Sequence, residues 1–285
     1  MTNQTVTTKP ILVLGGTGKT GRRVAAQLRE RGLEVRAASR SGKTRFDWYD
    51  ESTWQPALDG AGAVYMVDMV DEPVEWNPEV SVRAFCRQAV AAGVERIVLL
   101  QARTNEEAGG KSLIGSEAEV QNSGAEWTIL RPGWFAQNFD EGILLDGIRA
   151  GEVRLPAGEG LEPFIDCDDV AAVAVAALTE EGHAGKTYEL SGPRLLSFGE
   201  AVEEIARATG REIRYVALSP EEYVAELVAE GVPADYAQMV ADLIGQIREG
   251  KGAHISTGFK DALGHDPRDF AAFAKDAAAT GVWDA

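Results

Sequence analysis

The segment Ile11–Gly21, which reads ILVLGGTGKTG, carries the strongest structural signal in this chain. Its first four residues, Ile11–Leu14, form a continuous apolar run that ends in glycine, as is typical of a buried central strand. Three glycines then follow at intervals of three residues, beginning with Gly15. The next stretch, Thr20–Arg31, has apolar residues at helical spacing. The segment therefore predicts a strand, a tight turn and the start of a helix.

Glycines in this pattern favour a dinucleotide-binding loop. They permit a tight turn, let the backbone approach a pyrophosphate and allow the helix to pack closely, while the helix N-terminus attracts negative charge. A purely structural turn is the alternative. A loop of the nucleotide triphosphatase type is a second alternative, because Gly18, Lys19 and Thr20 match its last three positions. Val13 occupies the place where that loop needs a glycine.

The first half of the chain alternates short β-branched runs with helical patterns, which is typical of βαβ units on a parallel sheet. The further predicted strands are Glu34–Ala38, Gly62–Val67, Arg96–Leu100 and Trp127–Leu130, and the further helices are Ser52–Leu58, Asn77–Ala92 and Ser112–Asn122. The pattern predicts an α/β fold of the Rossmann type, with a doubly wound parallel sheet.

The sequence predicts two parts: residues 1–131 as the dinucleotide-binding domain, and residues 132–285 as a smaller, mostly helical lobe that covers the substrate. Prolines and glycines break the regular pattern after Arg131. We expect one or more segments of the lobe to return to the sheet. Ser197 with Glu200, and Ser219 with Glu222, predict two helix starts of the capping-box type.

Length and composition indicate a globular protein without a membrane span. The longest apolar run, Val170–Leu178, has nine residues, against the roughly 20 that a spanning helix needs. No secretion signal is apparent, and Cys86 and Cys167 lie in apolar segments, so we expect reduced thiols and a cytoplasmic protein. The net charge of −17 argues against nucleic acid as a partner.

The charge distribution and the second strand favour NADP(H) as the cofactor. Residues 1–50 carry a net charge of +6, which predicts a small anionic ligand nearby, although solvated arginines of a helix face explain part of it. An NAD site usually has an acidic residue at the end of the second strand. Here Ser39, Arg40 and Lys43 follow instead, and they can bind a 2′-phosphate. If Arg40 is an ordinary surface arginine, NAD remains an alternative cofactor.

Five segments together resemble a known family. They are GGTGKTGRRV, AVYMV after a short FDW, ERIVLLQA, EWTILRPGWFAQNF and FIDCDDVAAVAVAALTEEGHAGKTYELSGPR. They span nearly the whole chain and are similar to the NmrA-like branch of the atypical short-chain dehydrogenase/reductases. Within it the chain resembles bacterial NAD(P)H:quinone oxidoreductase-like members and ergot-alkaloid-type iminium reductases.

The resemblance implies a role for each of a set of positions. For the pyrophosphate these are Gly15, Thr17, Gly18, Lys19, Thr20 and Gly21; for the adenosine phosphate Ser39, Arg40 and Lys43; for the adenine Asp47 and Trp48; for the ribose Met66, Val67 and Asp68; and for the nicotinamide Gln101, Ala102, Pro132, Gly133, Trp134 and Phe135. Asn138 would face the substrate pocket, with Trp134, Phe135 and residues near Phe164. As alternatives, Trp134 and Phe135 could be core aromatics, and Asp68 could have no role other than to cap a loop.

The chain departs from the wider family in its proton donor. Carbonyl chemistry there uses a Tyr-x-x-x-Lys pair, in which the lysine lowers the pKa of the tyrosine. None of the six tyrosines has a lysine four residues later. Lys111 is an alternative acid, and no catalytic residue is assigned. Asp166, Asp168 and Asp169 could bind a metal, but they also suit the positive end of a helix dipole, so no metal is predicted.

We therefore expect an NADPH-dependent reductase that transfers hydride to an activated small acceptor, namely a quinone, enone or iminium ion. The alternative is a non-catalytic NADP(H)-binding redox sensor that acts through a protein partner. An isomerase or lyase is a third reading. Small-molecule substrates are expected, with no nucleic acid or membrane partner, for a monomer or homodimer.

Overall fold

The structure is a computed structural model that describes residues 9–67, 78–103 and 111–284, apart from the side chains of residues 78 and 111–115. The chain divides into two compact units. Unit 1 consists of Met1–Pro132, Cys167–Leu190 and Thr257–His265, and unit 2 of Gly133–Asp166, Ser191–Ser256 and Asp266–Ala285. The chain thus passes into unit 2 after Pro132 and returns to unit 1 twice.

Strands and helices alternate in the first half of the chain, as predicted. The strands are β1 (Ile11–Leu14), β2 (Val35–Ser39), β3 (Thr44–Arg45), β4 (Ala63–Val67), β5 (Arg96–Leu100), β6 (Glu126–Pro132), β7 (Glu152–Leu155), β8 (Leu161–Glu162), β9 (Lys186–Leu190), β10 (Leu196–Ser197) and β11 (Arg214–Ala217). The α-helices are α1 (Lys19–Glu30), α2 (Trp54–Leu58), α3 (Pro78–Ala91), α4 (Lys111–Gln121), α5 (Leu145–Ala150), α6 (Cys167–Thr179), α7 (Phe198–Thr209), α8 (Pro220–Ala229), α9 (Ala234–Arg248), α10 (Gly258–Leu263) and α11 (Phe270–Ala279).

Unit 1 is built on a seven-stranded parallel sheet with the order β3-β2-β1-β4-β5-β6-β9. The strand order reverses between β1 and β4, which is the arrangement of the predicted Rossmann fold. All five predicted strands are confirmed, with ends that differ by two residues at most. The sequence missed β3 and β9 because β3 has two residues and β9, KTYEL, has a polar, half-exposed edge pattern.

The strands in the middle of this sheet are apolar because they are buried on both faces. Every residue of β1 and β5 is buried, and all but the last residue of β4. Cys86 and Cys167 are buried free thiols, as predicted. No helix in the described part of the chain is long and apolar enough to cross a membrane.

Helix α6 joins unit 1 from the second half of the chain, and polar contacts hold both of its ends. The side-chain amide of Gln27 donates to the carbonyl oxygen of Asp168 at 3.0 Å. At the other end, the buried guanidinium of Arg96 donates to the carbonyl oxygens of Ala177 and Glu180 at 3.2 and 2.8 Å. These are carbonyls at a helix C-terminus, which lack partners within the helix.

Unit 2 is mainly helical, with two small two-stranded sheets, β10-β8 and β11-β7. Ser197 is the N-cap residue of α7, and Ser219 is the N-cap residue of α8. The predicted capping box is present at both helices, with reciprocal hydrogen bonds between Ser197 and Glu200 and between Ser219 and Glu222. The core of unit 2 contains a cluster of packed aromatic rings, namely Phe139, Phe164, Phe198 and Phe270.

Candidate functional site

The candidate site lies in unit 1 at the carboxyl edge, by which we mean the sheet edge where the parallel strands end. Gly15 follows β1, Ser39 ends β2, Val67 ends β4 and Gln101 follows β5. Because all these strands are parallel, their ends meet at one edge, and the crevice between β1 and β4 is where ligands bind in such sheets. A Cβ added to Gly15 would lie 4.0 Å from the Val67 side chain. The structure therefore brings the predicted loop to the end of β4.

The glycine loop is a tight turn that other residues would not fit. Gly15 has a φ of +63°, which L residues rarely adopt. The amide of Gly18 donates to the carbonyl oxygen of Gly15 at 2.8 Å. A Cβ on Gly21 would lie 2.2 Å from the same oxygen. A Cβ on Gly18 would lie 3.2 Å from it. Each spaced glycine thus has a steric or conformational role in the turn, and we call this loop the glycine cradle.

Gly16 is a further loop residue that the sequence reasoning did not single out. Its amide donates to the carbonyl oxygen of Ala38 at 2.9 Å. A Cβ on Gly16 would lie 2.8 Å from the Cβ of Ala37, so the loop can pass β2 only with glycine here. The Gly-Gly doublet after β1 was the signal for this close approach.

The N-terminus of α1 lacks the capping found in unit 2. Gly18 occupies the cap position without a side-chain hydrogen bond, and the first turn contains no acidic residue. The backbone amide groups in the first turn of α1 are therefore not satisfied by a side-chain cap. Together with the helix dipole they favour the binding of an anion. Lys19 begins the helix and is half-buried, whereas Thr17 is exposed. Thr20 is only 5% exposed.

The end of β2 presents the basic residues predicted to bind a phosphate. Ser39 is half-buried, and Arg40 and Lys43 are exposed. A Cβ on Gly42 would lie 2.7 Å from the hydroxyl oxygen of Ser39, so glycine lets the turn fold tightly over that hydroxyl. Ser39 is the last residue of β2, the strand that adjoins the glycine loop, and Arg40 follows it directly.

Trp48, expected to contact adenine, is instead placed mainly in the core. It is 8% exposed and lies among Phe46, Trp54 and Phe85. Its indole N–H donates to the carbonyl oxygen of Val67 at 3.0 Å, which fixes the loop after β3 against the end of β4. The side chain of its neighbour Asp47 is half-buried and accepts from the amide of Tyr49 at 3.1 Å.

The residues predicted along β4 have different surroundings. Met66 is completely buried in the core, so its side chain cannot line an open ligand site, while Val67 is half-buried at the strand end. Asp68, predicted beside the ribose, lies outside the described residues. So does the side chain of Lys111, the alternative acid.

Gln101, predicted near the nicotinamide, is buried, and its side-chain amide has no partner in the part of the chain that the structure describes. It is 2% exposed, and its backbone amide donates to the carbonyl oxygen of Leu130 at 2.9 Å. Neither the nitrogen nor the oxygen of its side-chain amide has a hydrogen-bond partner among the described residues. Ala102, the next residue, is half-buried. Pro132 is buried, and its carbonyl oxygen accepts a hydrogen bond from the amide of Arg103 at 3.2 Å.

The remaining predicted residues, from Gly133 onward, belong to unit 2. Trp134 is half-buried, packs edge-on against Phe198, and its amide donates to the Glu162 carboxylate at 3.2 Å. Phe135 forms an isolated bridge with Ile165.

Asn138 and Phe164 differ in exposure. Asn138 is half-buried at the end of the 3-10 turn Ala136–Asn138. Phe164 is 2% exposed inside the aromatic cluster, so it supports the neighbouring chain from the core and does not present an open surface. Gly133 is half-buried where unit 2 begins.

The acidic residues around the start of α6 have protein partners. Asp166 accepts from Gln137 at 2.7 Å and from Arg268 at 2.8 Å. Asp168 is in the first turn of α6 and pairs with Arg23 at 3.2 Å. Among the described residues no group of three or more His, Cys, Asp or Glu side chains is arranged to hold a metal ion.

Burial works against three tyrosines as proton donors. It raises the pKa of Tyr65 and of Tyr223, and it raises that of Tyr215 to about 12. An acid in carbonyl reduction needs its pKa lowered toward neutrality. These three side chains are therefore not activated for that role.

The strand order, the glycine loop and the uncapped helix together define a dinucleotide-binding α/β protein. A family described as NAD(P)H-binding matches residues 15–181, and the chain belongs to this family. The orphaned Gln101 amide and the glycine cradle fit such a cofactor.

Relatives extend over nearly the whole chain. Agroclavine dehydrogenase from Claviceps fusiformis is 36% identical, over 93% of this chain and 96% of its own. Prestalk A differentiation protein A from Dictyostelium discoideum is 33% identical, over 96% of this chain and 94% of its own. In fold, the chain resembles the NADPH complex of NADPH-dependent quinone oxidoreductase from Escherichia coli, with a TM-score of 0.73 and 24% identity over 93% of this chain and 99% of that one.

These comparisons confirm the predicted family resemblance, the Rossmann fold and the cofactor class. The chain is an NAD(P)H-dependent oxidoreductase of this NAD(P)H-binding family. The individual site residues remain predictions.

Proposed function

We propose that this protein is an NADPH-dependent reductase that transfers hydride to a planar, electron-poor acceptor. A quinone is the leading acceptor class, followed by an enone or an iminium ion. The observation that carries the proposal is the tight glycine loop at the start of α1, next to a β2 end that offers Ser39, Arg40 and Lys43.

The basic β2 end supports NADPH over NADH. A 2′-phosphate adds charge that Arg40 and Lys43 can pair with, and the Ser39 hydroxyl can donate a further bond. NADH would leave these cations without that partner. The pyrophosphate would be held by the loop amides and the start of α1.

The nicotinamide supplies a hydride when bound, and the protein's own contribution is binding and orientation. No Tyr-x-x-x-Lys pair is present in the sequence. Acceptors that are already electrophilic need less acid assistance, since positioning then provides most of the rate. A quinone takes the hydride at one atom and a proton from solvent at oxygen, so electrons and protons balance without a protein acid.

Trp134, Phe135 and Asn138 are the residues that we propose for contact with the acceptor. All three are half-buried and sit on the stretch of chain that follows β6. Aromatic rings stack on planar acceptors, and an amide can orient a polar substituent. Phe164 would act indirectly, by supporting this stretch from the core.

The test is NADPH consumption by the purified protein with a panel of quinones, enones and cyclic imines, run in parallel with NADH. Saturable oxidation above the uncatalysed rate, with a higher kcat/KM for NADPH, is the expected result. If NADPH binds but no acceptor is turned over, the reductase proposal is wrong.

That negative outcome would favour the second candidate, a redox sensor that binds NADP(H) and acts through a protein partner. One observation supports it: a relative similar over nearly the whole chain is named a differentiation protein. For either role we propose a cytoplasmic monomer or homodimer, which size-exclusion chromatography with light scattering would distinguish.

A further inference from the structure

Asn138, one of the residues proposed for contact with the acceptor, lies between two neighbours that are anchored inside unit 2. It ends the 3-10 turn Ala136–Asn138 and is itself half-buried. The residue before it, Gln137, is 2% exposed, and the residue after it, Phe139, is completely buried. The contacts of these two neighbours therefore decide where the backbone of Asn138 lies.

The first anchor is the hydrogen bond between Trp283 and Phe139. The indole N–H of Trp283 donates to the carbonyl oxygen of Phe139 at 2.8 Å, and the Trp283 side chain is completely buried. The ring packs edge-on against Phe273, with 6.2 Å between the ring centroids. An indole has one donor, whose direction is fixed by the ring. A buried and packed indole therefore fixes the carbonyl group that it binds.

The backbone around Trp283 is itself held by two arginines, although it lies in a turn after α11. The guanidinium of Arg211 donates to the carbonyl oxygen of Trp283. The guanidinium of Arg149 donates to the carbonyl oxygen of Val282 at 3.0 Å. Both the ring and the backbone of Trp283 are thus fixed, which makes its indole a rigid donor.

The second anchor lies on the other side of Asn138. The side-chain nitrogen of Gln137 donates to the carboxylate of Asp166 at 2.7 Å. Asp166 is 2% exposed and also accepts from the guanidinium of Arg268 at 2.8 Å. The arginine supplies the opposite charge that a buried carboxylate needs, and a hydrogen bond to an ionised acceptor is stronger than one between neutral groups.

We propose that Trp283 and Gln137 are positioning residues that together orient the side-chain amide of Asn138 toward an oxygen of the acceptor. The inference rests on the proposed function, in which Asn138 contacts a quinone. As hydride reaches a quinone, negative charge develops on a carbonyl oxygen. A donor that is already fixed in place stabilises this charge most in the transition state. The amide donates a hydrogen bond and gives up no proton, so the proton still comes from solvent.

The test is a pair of double-mutant cycles that combine Trp283→Phe and Gln137→Leu with Asn138→Ala, with naphthoquinone as the acceptor. Asn138→Ala should lower kcat/KM by roughly 3- to 30-fold, as for a lost hydrogen bond to an oxygen that becomes partly charged. Trp283→Phe removes the N–H donor and keeps an aromatic ring, whereas Gln137→Leu removes the bond to Asp166. Each should lower kcat/KM by no more than Asn138→Ala does.

The double variants decide the question. If the anchors act through Asn138, adding either anchor variant to Asn138→Ala should cause no further loss of kcat/KM. Losses that multiply in the double variants would overturn the proposal, and so would an unchanged kcat/KM in Trp283→Phe and Gln137→Leu alone. Because the two anchors are tested separately, the experiment still decides if Trp283→Phe does not fold.

Two further measurements separate positioning from general stability. Tyr215→Phe is the matched control, because it removes an O–H that donates to the carbonyl oxygen of Gly158 at 3.1 Å in the same unit. It should leave kcat/KM unchanged. The Kd for NADPH should also be unchanged in Trp283→Phe and Gln137→Leu. A loss of NADPH affinity as large as the loss of kcat/KM would contradict a role through Asn138.

Failure of the proposed function would give a different result. If the wild type binds NADPH but does not oxidise it with naphthoquinone, the proposed quinone reduction is wrong, and the inference about the anchors falls with it. If the wild type reduces naphthoquinone and the losses in the double variants multiply, only the inference about the anchors is wrong.

Discussion

Arg40 is the residue on which the proposed cofactor preference depends. It is exposed directly after β2, next to the half-buried Ser39. If its guanidinium pairs with the 2′-phosphate, Arg40→Ala should weaken NADPH binding by roughly 10- to 150-fold, as for a lost hydrogen bond to a charged group. NADH binding should change little. Titration calorimetry with both cofactors measures the difference.

Arg29→Ala serves as the control for this experiment. Arg29 is an exposed arginine in the last turn of α1, so its removal changes the net charge by the same amount away from the β2 end. We expect it to leave both affinities nearly unchanged. Equal losses for NADPH and NADH in Arg40→Ala would separate Arg40 from the phosphate site.

At the scale of single elements, the turn from β1 into α1 depends on glycine in a way that α9 does not. A Cβ on Gly21 would lie 2.2 Å from the carbonyl oxygen of Gly15. Backbone must therefore shift, and Gly21→Ala should lower the free energy of unfolding by about 1–3 kcal/mol, as in overpacked sites. Because the cradle is distorted, NADPH affinity should fall as well. Urea unfolding and cofactor titration measure the two effects.

Gly245 provides the opposite case within a helix. It lies inside α9, and a Cβ there would meet nothing within 4 Å. Gly245→Ala should raise the free energy of unfolding by about 0.5–1 kcal/mol, because alanine loses less backbone entropy in a helix. Cofactor affinity should not change. If both alanine variants behaved alike, close packing at Gly21 would not be the cause.

Charge differs between the parts of the whole molecule. Counted over the two units, the net charge is −5 for unit 1 and −12 for unit 2, of the total −17. Since the first 50 residues carry +6, the cradle lies in the least acidic part of the chain. We therefore expect the basic residues near the cradle, and not the overall negative charge, to favour binding of an anionic cofactor.

The stability of the whole molecule should depend on the protonation of His183. This ring is 7% exposed, contacts the hydroxyl of Tyr188 at 2.9 Å, and has its pKa lowered from 6.5, chiefly by burial. The unfolded chain then binds a proton more readily than the folded one. The neutral His183 ring therefore makes its full contribution to stability above about pH 6.5. This contribution is lost as the pH falls through the lower pKa that the ring has in the folded protein. We expect the melting temperature to decrease between pH 7.5 and 5.

The histidine can be separated from the carboxylates by its pH range. Carboxylates with lowered pKa, such as those of Glu152 and Asp269, lose their contribution only below their ordinary values of 4.5 and 3.8. In His183→Gln the decrease between pH 7.5 and 5 should be smaller than in the wild type. An unchanged pH dependence in His183→Gln would contradict the assignment.

The sequence by itself determined the features that depend on local chemistry. The apolar run at Ile11–Leu14 and the spaced glycines predicted the strand, the turn and the helix, and serines three residues before glutamates predicted the caps of α7 and α8. Each of these signals lies within a few residues, because backbone conformation and helix ends respond to immediate neighbours.

Only the tertiary structure decided what individual side chains contact. Met66, Trp48 and Phe164 fit the family pattern of ligand contacts, yet their side chains are buried in cores built from distant parts of the chain. The sequence also could not show that the Gln101 amide has no partner among the described residues, because hydrogen-bond partners come from segments far apart in sequence. Periodicity reports that a residue is buried, whereas the three-dimensional arrangement of the surrounding elements determines what it meets there.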